Sequence, residues 1–573
     1  MDGILSAISA ASQTEINVYL GFLRVAAPVL ALMILLRAGM PLLTFRREPE
    51  IWAWLCLRDG KKLPITHWEN VLGRHRRSDI VIDFPTVSRT HAVLTRYDDG
   101  SWTITDSDSK SGVYVNGRRG KIFALEPEDV ISIGGIEMQL QPISRKQEQR
   151  LAQLRTKAGS LHSSIVTVVL LTLLQVFCCW GLLLGGGMDH GQDILLGFGG
   201  LIACQWVLLV FYALIRRPSF EVETIAFFLS TLGMAAIATV VPGEAVKQLI
   251  SLVLGLVVFL ICGWSLRDLE RAKMIRYLAA AAGVGFLIVT LLLGQEINGA
   301  KNWIIIGGMS IQPSELSKVC FVFAGASTMD RLVNKRNLIL FIAYSVFICG
   351  CLALMRDFGT ALIFFCAFLV IAYLRSGSVG TVGLAITSLV FAGVMVLRIM
   401  PHALGRFANW RHIWESPWDG GYQQTQSLMC MASGGLFGLG ANQGWMENLF
   451  AADSDMVFAT ISEEWGLILA VMMIFAVVVL ALFVVRSTSV GRSSFYTIGA
   501  CTAAGILLVQ AILNALGTVD VVPLTGVTFP FVSNGGSSMI GAWGLLAFVK
   551  AADTRQNGSF AVRMSRNRRD EDE

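Results

Sequence analysis

From residue 163 to the end, apolar residues come in long blocks separated by short polar turns. The blocks run at about 164–186, 192–214, 221–241, 246–264, 276–294, 316–333, 338–355, 358–374, 380–399, 458–485, 494–516 and 534–552. Each is close to the ~20 residues a helix needs to cross the hydrocarbon of a bilayer. One more block, 18–36, lies near the start, with acidic or neutral residues before it and Arg37, Arg46 and Arg47 after it. That order predicts an uncleaved anchor with its N-terminus outside rather than a cleaved signal peptide. Together the blocks predict about thirteen spans.

Between residues 51 and 143 the pattern changes to alternation, as in "SDIVID", "HAVLTRYDDGSWTITD" and "GVYVNG". Period-two alternation broken by turns predicts short antiparallel strands in a β-sandwich, with Asp98-Asp99-Gly100 as a hairpin turn. The expected organisation is an anchor at 1–48, a soluble domain at 49–143 and a basic linker at 144–162. Two extra membrane helices at 163–215, a membrane core at 216–553 and a charged tail at 554–573 complete it.

Composition agrees. The 573 residues are 54% hydrophobic and 15% charged, against about 25% charged in soluble domains. The net charge is only +5, and its distribution fits a membrane-orientation device rather than a nucleic-acid surface. Arg216/Arg217, Arg267/Arg271/Lys273/Arg276, Arg331/Lys335/Arg336, Arg375, Arg486/Arg492, the soluble domain and the tail all fall on one side. By the positive-inside rule that side is cytoplasmic, which leaves 295–312, 401–456 and 519–534 outside. The eleven cysteines include no CxxC pair and read as small buried hydrophobes, not as a redox or metal site.

Polar residues within the apolar region are the candidates for chemistry, because ionisable groups at membrane depth are costly unless they face a cavity or each other. Glu315 and Lys318, three apart just after Pro313, share one helix face, and Ser314 suits a cap. Arg356-Asp357-Phe358-Gly359-Thr360 is a charged break between two blocks. The long outer segment holds Arg406, Arg411, Tyr422, Gln426 and Ser427, a glycine-rich run at 433–440, and Asp453 and Asp455 at the mouth of a helix. Glu463 and Glu464 lie one to two turns deeper. Near the end, Pro523–Ser538 mixes Pro and Gly at membrane depth, which requires protein or a cavity around it. Its Gly-Gly-Ser-Ser run offers free N–H groups for a phosphate.

Two resemblances follow from these strings. "GRHRRSDIVIDFPTVSRTHAVL" with "DSKSGVYVNG" is similar to the FHA domain. That resemblance implies that Arg74, Ser88 and Arg89 grip a phosphothreonine, that the loop around Ser109 and Asn116 holds the phosphopeptide, and that His91 braces the loops. "NGAKNW", "QPSELSK", "RDFGT", "GYQQTQS", "SGGLFGLG", "EEWG" and "PLTGVTFPFVSNGGSS", in this order across about 221–552, resemble the SEDS family of RodA/FtsW-like proteins. The fold class so implied is a mostly α polytopic membrane bundle with a cytoplasmic β-sandwich FHA domain.

The SEDS resemblance implies a peptidoglycan glycosyltransferase. It would polymerise lipid II, release undecaprenyl diphosphate and work beside a class B penicillin-binding transpeptidase. A phosphothreonine protein on the cytoplasmic side is the further expected partner. The family's essential outer-loop aspartate maps onto Asp455. This chain lacks the Pro, Glu and His that usually precede it, Asp453 competes for the role, and Asn534 stands where a Tyr is common. The expected substrate-facing set is Gln312, Glu315, Lys318, Arg406, Tyr422, Gln426, Ser427, Asn534 and Ser537. Arg406, Lys318 or a divalent cation (Mg or Mn) would meet the leaving diphosphate. Two other readings remain at this point: a flippase for the lipid-linked precursor, and a catalytically weak scaffold.

Overall fold

The computed structural model describes residues 12–45, 51–76, 78–97, 100–143, 159–297, 300–306, 309–329, 335–376, 379–399, 409–489, 493–555 and 558–559. Residues 144–158 of the linker, Arg406 and most of the tail lie outside the described residues, as do residues 98 and 99 of the expected hairpin turn.

The alternating segment forms the expected sandwich. The strands are β1 Ala53–Leu57, β2 Lys62–Ile65, β3 Glu69–Gly73, β4 Ile80–Val81, β5 Ala92–Arg96, β6 Trp102–Asp106, β7 Val113–Val115, β8 Arg118–Gly120, β9 Ile122–Leu125, β10 Val130–Ile133 and β11 Ile136–Pro142; one sheet has the order β2-β1-β11-β10-β7-β8 and the other β4-β3-β5-β6-β9. Pairing is antiparallel except between β3 and β4 (Ile80–Val81). The inward positions, such as Leu55, Leu72, Leu94, Ile104, Ile131 and Leu140, close one core between the sheets, as period-two burial requires.

The apolar blocks form helices: α1 Gln13–Leu43, α2 Leu161–Leu184, α3 Gly191–Leu214, α4 Glu221–Val240, α5 Ala245–Leu266, α6 Leu269–Leu293, α7 Pro313–Met329, α8 Lys335–Leu354, α9 Phe358–Ser376, α10 Val379–Ile399, α11 Tyr422–Gly434, α12 Val457–Glu464, α13 Leu467–Thr488, α14 Ser494–Thr518 and α15 Gly536–Ala551. Among the described residues, nine helices are both long and apolar enough to cross a membrane. Ser12 caps α1 in a capping box with Glu15, satisfying free N–H groups of its first turn. The anchor α1 packs on α2 and α13, and with α2 and α3 it surrounds α4. That enclosure explains why α4 is buried along its length, its few polar side chains included. At the centre, α14 packs against α7, α9, α13 and α15, and α15 against α5 and α7.

Two departures from the sequence pattern matter. Residues 295–311 carry a small three-stranded antiparallel sheet that the apolar blocks do not foresee. The block expected at 458–485 is not one helix. It breaks between α12 and α13 at Gly466, whose φ is +94°. The glycine-rich run fills the break: Leu439 and Gly440 donate to the carbonyls of Glu463 and Glu464, and Leu467 and Ile468 donate to those of Gly435 and Leu436. A broken helix at membrane depth persists only where protein replaces its lost hydrogen bonds.

The sandwich is docked on the helices rather than hanging free. Trp68 is buried in the helical core cluster, edge-on to Tyr496 at 6.2 Å and to Trp52 at 6.0 Å. The hydroxyl of Ser494 donates to Glu69 Oε2 at 2.6 Å. The sandwich thus meets α14 at that helix's first turn.

A Cβ at Gly466 would overlap the Leu436 carbonyl and the Phe437 backbone, and its left-handed φ costs an L-residue about 1–2 kcal/mol before any clash. Gly466→Ala should therefore lower the thermal midpoint of the detergent-purified protein by several degrees. An unchanged midpoint would mean that the break tolerates a side chain.

Candidate active site

Asp455 sits on the turn that leads into α12. Its main-chain carbonyl accepts from Asn514 Nδ2 at 2.9 Å, and the same amide donates to the carbonyl of Val527 at 2.8 Å. Asp455 Oδ2 lies beside Gly526: a Cβ there would stand 3.4 Å from it, and Gly526 has the left-handed φ of +67°. The carboxylate is thus held against the irregular 519–535 loop.

From that loop, close contacts lead to the other motifs. Gly359, in the first turn of α9, packs so closely that a Cβ would stand 2.6 Å from the carbonyl oxygen of Thr525. Just before it, Asp357 caps α9. Its Oδ1 accepts from the Thr360 N–H at 3.0 Å, and its Oδ2 accepts from Asn302 Nδ2 at 3.2 Å and Gln312 Nε2 at 3.1 Å. The Gln312 N–H in turn donates to Ser537 Oγ at 3.0 Å, and Thr528 Oγ1 and Ser538 Oγ are 2.8 Å apart. Segments hundreds of residues apart in sequence therefore converge on one end of the bundle.

Glu315 and Lys318 pair at 2.7 Å, with side chains only 6% and 1% exposed. Lys318 does not reach out to an interface. The pair cancels charge inside the protein, next to Gly541 of α15, where a Cβ would stand 3.0 Å from the Glu315 carbonyl. Such a pair is costly to break, because either partner alone is a buried charge.

Asp453 is separate from Asp455 in surroundings as well as in sequence. Its Oδ2 accepts from Asn534 Nδ2 at 2.7 Å, and that amide also donates to Glu244 Oε2 at 2.8 Å. The Asn534 N–H donates to the Asp453 carbonyl, and Ser533 Oγ to that of Ser454. These bonds join the Asp453 turn to the last loop, so Asn534 works as a brace. Burial pushes the Asp453 carboxyl above its ordinary value, the Asn534 bond lowers it, and the charge of Glu244 raises it further.

On α11, Ser427 donates to the Gln423 carbonyl of its own helix at 2.7 Å. Tyr422 packs on a small cluster with Met446, Leu449 and Met456. Gln426 is half-buried on the same helix. Gln424, rather than Gln426, ties α11 to the end of α14, through the Gly517 carbonyl at 2.9 Å and Asp520 Oδ1 at 3.3 Å. Glu463 and Glu464 are buried and occupied: the Trp445 and Met446 N–H groups donate to Glu463, and Thr239 Oγ1 donates to Glu464.

Sequence reasoning missed Asn514, Thr525 and Gln424 as site residues and noted Asp357 only as part of a break. A usable signal was present. Gln510, Asn514 and Thr518 recur every fourth residue in an apolar helix, so they share one face. Among the described residues, no three His, Cys, Asp or Glu side chains group as a metal cage.

In the sandwich, His91 is fully buried. Its Nδ1 accepts from the Ser88 N–H at 3.1 Å, and its Nε2 lies 3.1 Å from the Gly112 carbonyl. It therefore fixes the two expected phosphate loops to each other. Ser88 Oγ accepts from the Lys110 N–H. Arg74 and Arg89 are exposed beside it, their backbones flanking Gly73, where a Cβ would overlap the Arg89 carbonyl. Ser109 Oγ accepts from the Gly112 N–H at 3.0 Å. Asn116, with φ +49°, donates to Asp129 and accepts from the Val130 N–H.

Residues 222–558 match the family model for the FtsW/RodA/SpoVE cell cycle proteins, and residues 70–134 match the FHA domain. The peptidoglycan glycosyltransferase RodA of Mycobacterium tuberculosis is 30% identical over 327 residues, covering 53% of this chain and 69% of that protein. A probable peptidoglycan glycosyltransferase FtsW from Buchnera aphidicola is 30% identical over 264 residues, covering 44% and 66%. A chain from a peptidoglycan synthase complex, solved in a study of coordinated polymerisation and crosslinking, shares the helical fold. Its TM-score is 0.50 and its identity 24%, over 58% of this chain and 96% of that one.

Two aspartates, two positions apart, separate here by environment. Asp453→Asn keeps the acceptor for Asn534 while removing a buried charge, so polymerisation should persist. Because the folded carboxyl is raised, folding favours its protonated form. The stability this contributes is present at low pH and is lost as pH rises through the raised pKa. The stability gain of Asp453→Asn over the parent should thus be absent near the bottom of the carboxylate range and appear above it. Thermal unfolding of both proteins across pH checks this, and a gain confined to acid pH would contradict it.

Proposed function

The chain belongs to the FtsW/RodA/SpoVE family and carries an FHA domain, and from that premise we propose that it is a peptidoglycan glycosyltransferase that polymerises lipid II and is regulated through phosphothreonine binding. The observation that carries the catalytic reading is the placement of Asp455. Its carboxylate is held beside Gly526 by an amide near one end of α14, while the sandwich docks at the other end. Twenty residues of helix separate Ser494 from Asn514, or about 30 Å, the thickness of a bilayer's hydrocarbon. That spacing and the distribution of Arg and Lys support a reading in which Asp455 is extracytoplasmic and the FHA domain cytoplasmic.

Chain growth requires a sugar hydroxyl to attack an anomeric carbon that carries diphosphate. Asp455 is the general base: it accepts the hydroxyl proton as the new C–O bond forms and the C–O bond to the diphosphate breaks. A carboxylate in hydrogen-bond reach serves a weak nucleophile in this way, and inversion places base and leaving group on opposite faces of the sugar. The serine-lined start of α15, with Ser537 and Ser538, offers hydroxyl and N–H donors to phosphate oxygens. The buried Glu315–Lys318 pair orients the wall behind them. Gln312 holds Ser537 in place, and Tyr422 and Gln426 flank the outer segment. A class B penicillin-binding transpeptidase is the proposed partner for cross-linking the product.

On the opposite side, Arg74, Ser88 and Arg89 suit a phosphate dianion, since guanidinium and hydroxyl donors to an anion make the stronger hydrogen bonds. The ligand is a phosphothreonine protein that places or tunes the enzyme.

Purified Asp455→Ala should polymerise lipid II about 10²–10⁴-fold more slowly than the parent. Parental product from that variant would remove Asp455 from the chemistry and leave a flippase or scaffold to be considered. Arg74→Ala should weaken binding of a phosphothreonine peptide by about tenfold or more, the worth of one hydrogen bond to a charged group. Calorimetry with phosphorylated and plain peptides reads this, and equal binding of both peptides by the parent would reject phosphate reading.

A further inference from the structure

The polar stripe Gln510, Asn514 and Thr518 runs up a face of α14 that is otherwise apolar, and all three side chains are buried. Asn514, 2% exposed, directs one atom at two carbonyls from different parts of the chain, Asp455 at 2.9 Å and Val527 at 2.8 Å. An atom that meets two carbonyl oxygens is an NH2 using both its hydrogens, which fixes the orientation of the amide. Its Oδ1 is buried with no hydrogen-bond partner among the described residues. The side chain is therefore held by its donors alone.

We infer that Asn514 is the positioning residue for the proposed base, and this rests on the reading of Asp455 given above. The two carbonyls belong to the turn that carries Asp455 and to the residue following Gly526. One rigid amide on a helix thus sets the distance between the carboxylate and the loop it lies against. Neither partner segment has regular structure of its own at that point: 450–456 is a run of turns and 521–533 is irregular. The other bonds that join the two segments lie at the Asp453 side, from Ser533 and Asn534. Asparagine fits the task for chemical reasons. Leucine would leave two carbonyls unpaired, and aspartate would set a carboxylate against them. A neutral double donor on a short side chain satisfies both without charge. Displacing a catalytic group by about 1 Å costs on the order of 10²-fold in rate, so the clamp acts on turnover rather than on binding.

The test compares steady-state lipid II polymerisation by purified full-length Asn514→Ala, Asn514→Leu, Asp455→Ala and the parent. Leu keeps the volume of the side chain while removing the donors. Gel filtration and phosphothreonine-peptide binding confirm folding. Both Asn514 variants should lose about 10–100-fold in kcat with KM for lipid II within about twofold of the parent. Parental kcat in either folded variant would overturn the clamp, as would a raised KM at unchanged kcat. If neither variant purifies as a monodisperse protein, the residue is structural and the inference fails in that way. An inactive Asp455→Ala beside fully active Asn514 variants removes the clamp alone, whereas an active Asp455→Ala removes the base on which it rests.

Discussion

Inside hydrocarbon an N–H or C=O without a partner costs several kcal/mol, and the irregular segments around the site are shaped by that cost. The run 435–440 lies beside the broken helix because its N–H groups take the carbonyls that Gly466 frees. The turn after it is held by the carboxylate of Glu463, which accepts from two successive backbone N–H groups. The last loop closes on itself through the Phe529 N–H and Ser533 Oγ at 2.8 Å. Read only from position, Glu463 and Glu464 resemble catalytic acids. Their bonds show them to be the partners that let a non-helical outer segment exist at that depth. On this framework Asp455 is set beside Gly526.

Helix α14 is the element on which these segments meet. Its sides touch α7, α9, α13 and α15. Its far end holds the Asp455 turn through Asn514 and the outer helix α11 through Gly517, while its first turn receives the sandwich through Ser494 and Tyr496. Tyr496 also donates to the Leu266 carbonyl at the end of α5. A helix packed on four sides transmits displacement as a body rather than bending, so the two functional ends are mechanically one piece.

The sequence carried the architecture well because both periods are strong. Twenty-residue apolar blocks and period-two strands leave little ambiguity. It was less informative where tertiary contacts decide. The break at Gly466 sits inside an apolar run, and only the apposition of Leu436 and Phe437 requires it. The small sheet at 295–311 meets the turn before α9 through the Lys301 N–H on the Met355 carbonyl and Arg356 on Glu296, a contact across sequence that no local pattern encodes. Lys318 was expected as a cation near the leaving group, whereas the fold encloses it with Glu315. Asp455 and Asp453 compete in sequence and differ in surroundings: Asn534 donates to Asp453 and Glu244, while the Asp455 carbonyl accepts from Asn514.

The end of the bundle where the linker enters is built from buried charge. Arg555, beyond the expected end of the core at 553, pairs with Asp553 at 2.7 Å and Glu221 at 3.3 Å, while Lys550 pairs with Glu223 at 3.1 Å and donates to the Ser219 carbonyl. Tyr212 donates to Glu223, and the Gly159 N–H, near the end of the linker, donates to Glu221. Ion pairs at such burial add little net stability over apolar packing, but removing one partner is severe, so their effect is to permit one register and penalise others. Apolar side chains would allow α4 and the segment after α15 to slide past each other. The charges do not, and they fix the point at which the linker leaves the membrane body. The sandwich itself is held on α14 by Trp68 and Glu69. The FHA domain is thus seated on the helical body through the first turn of α14.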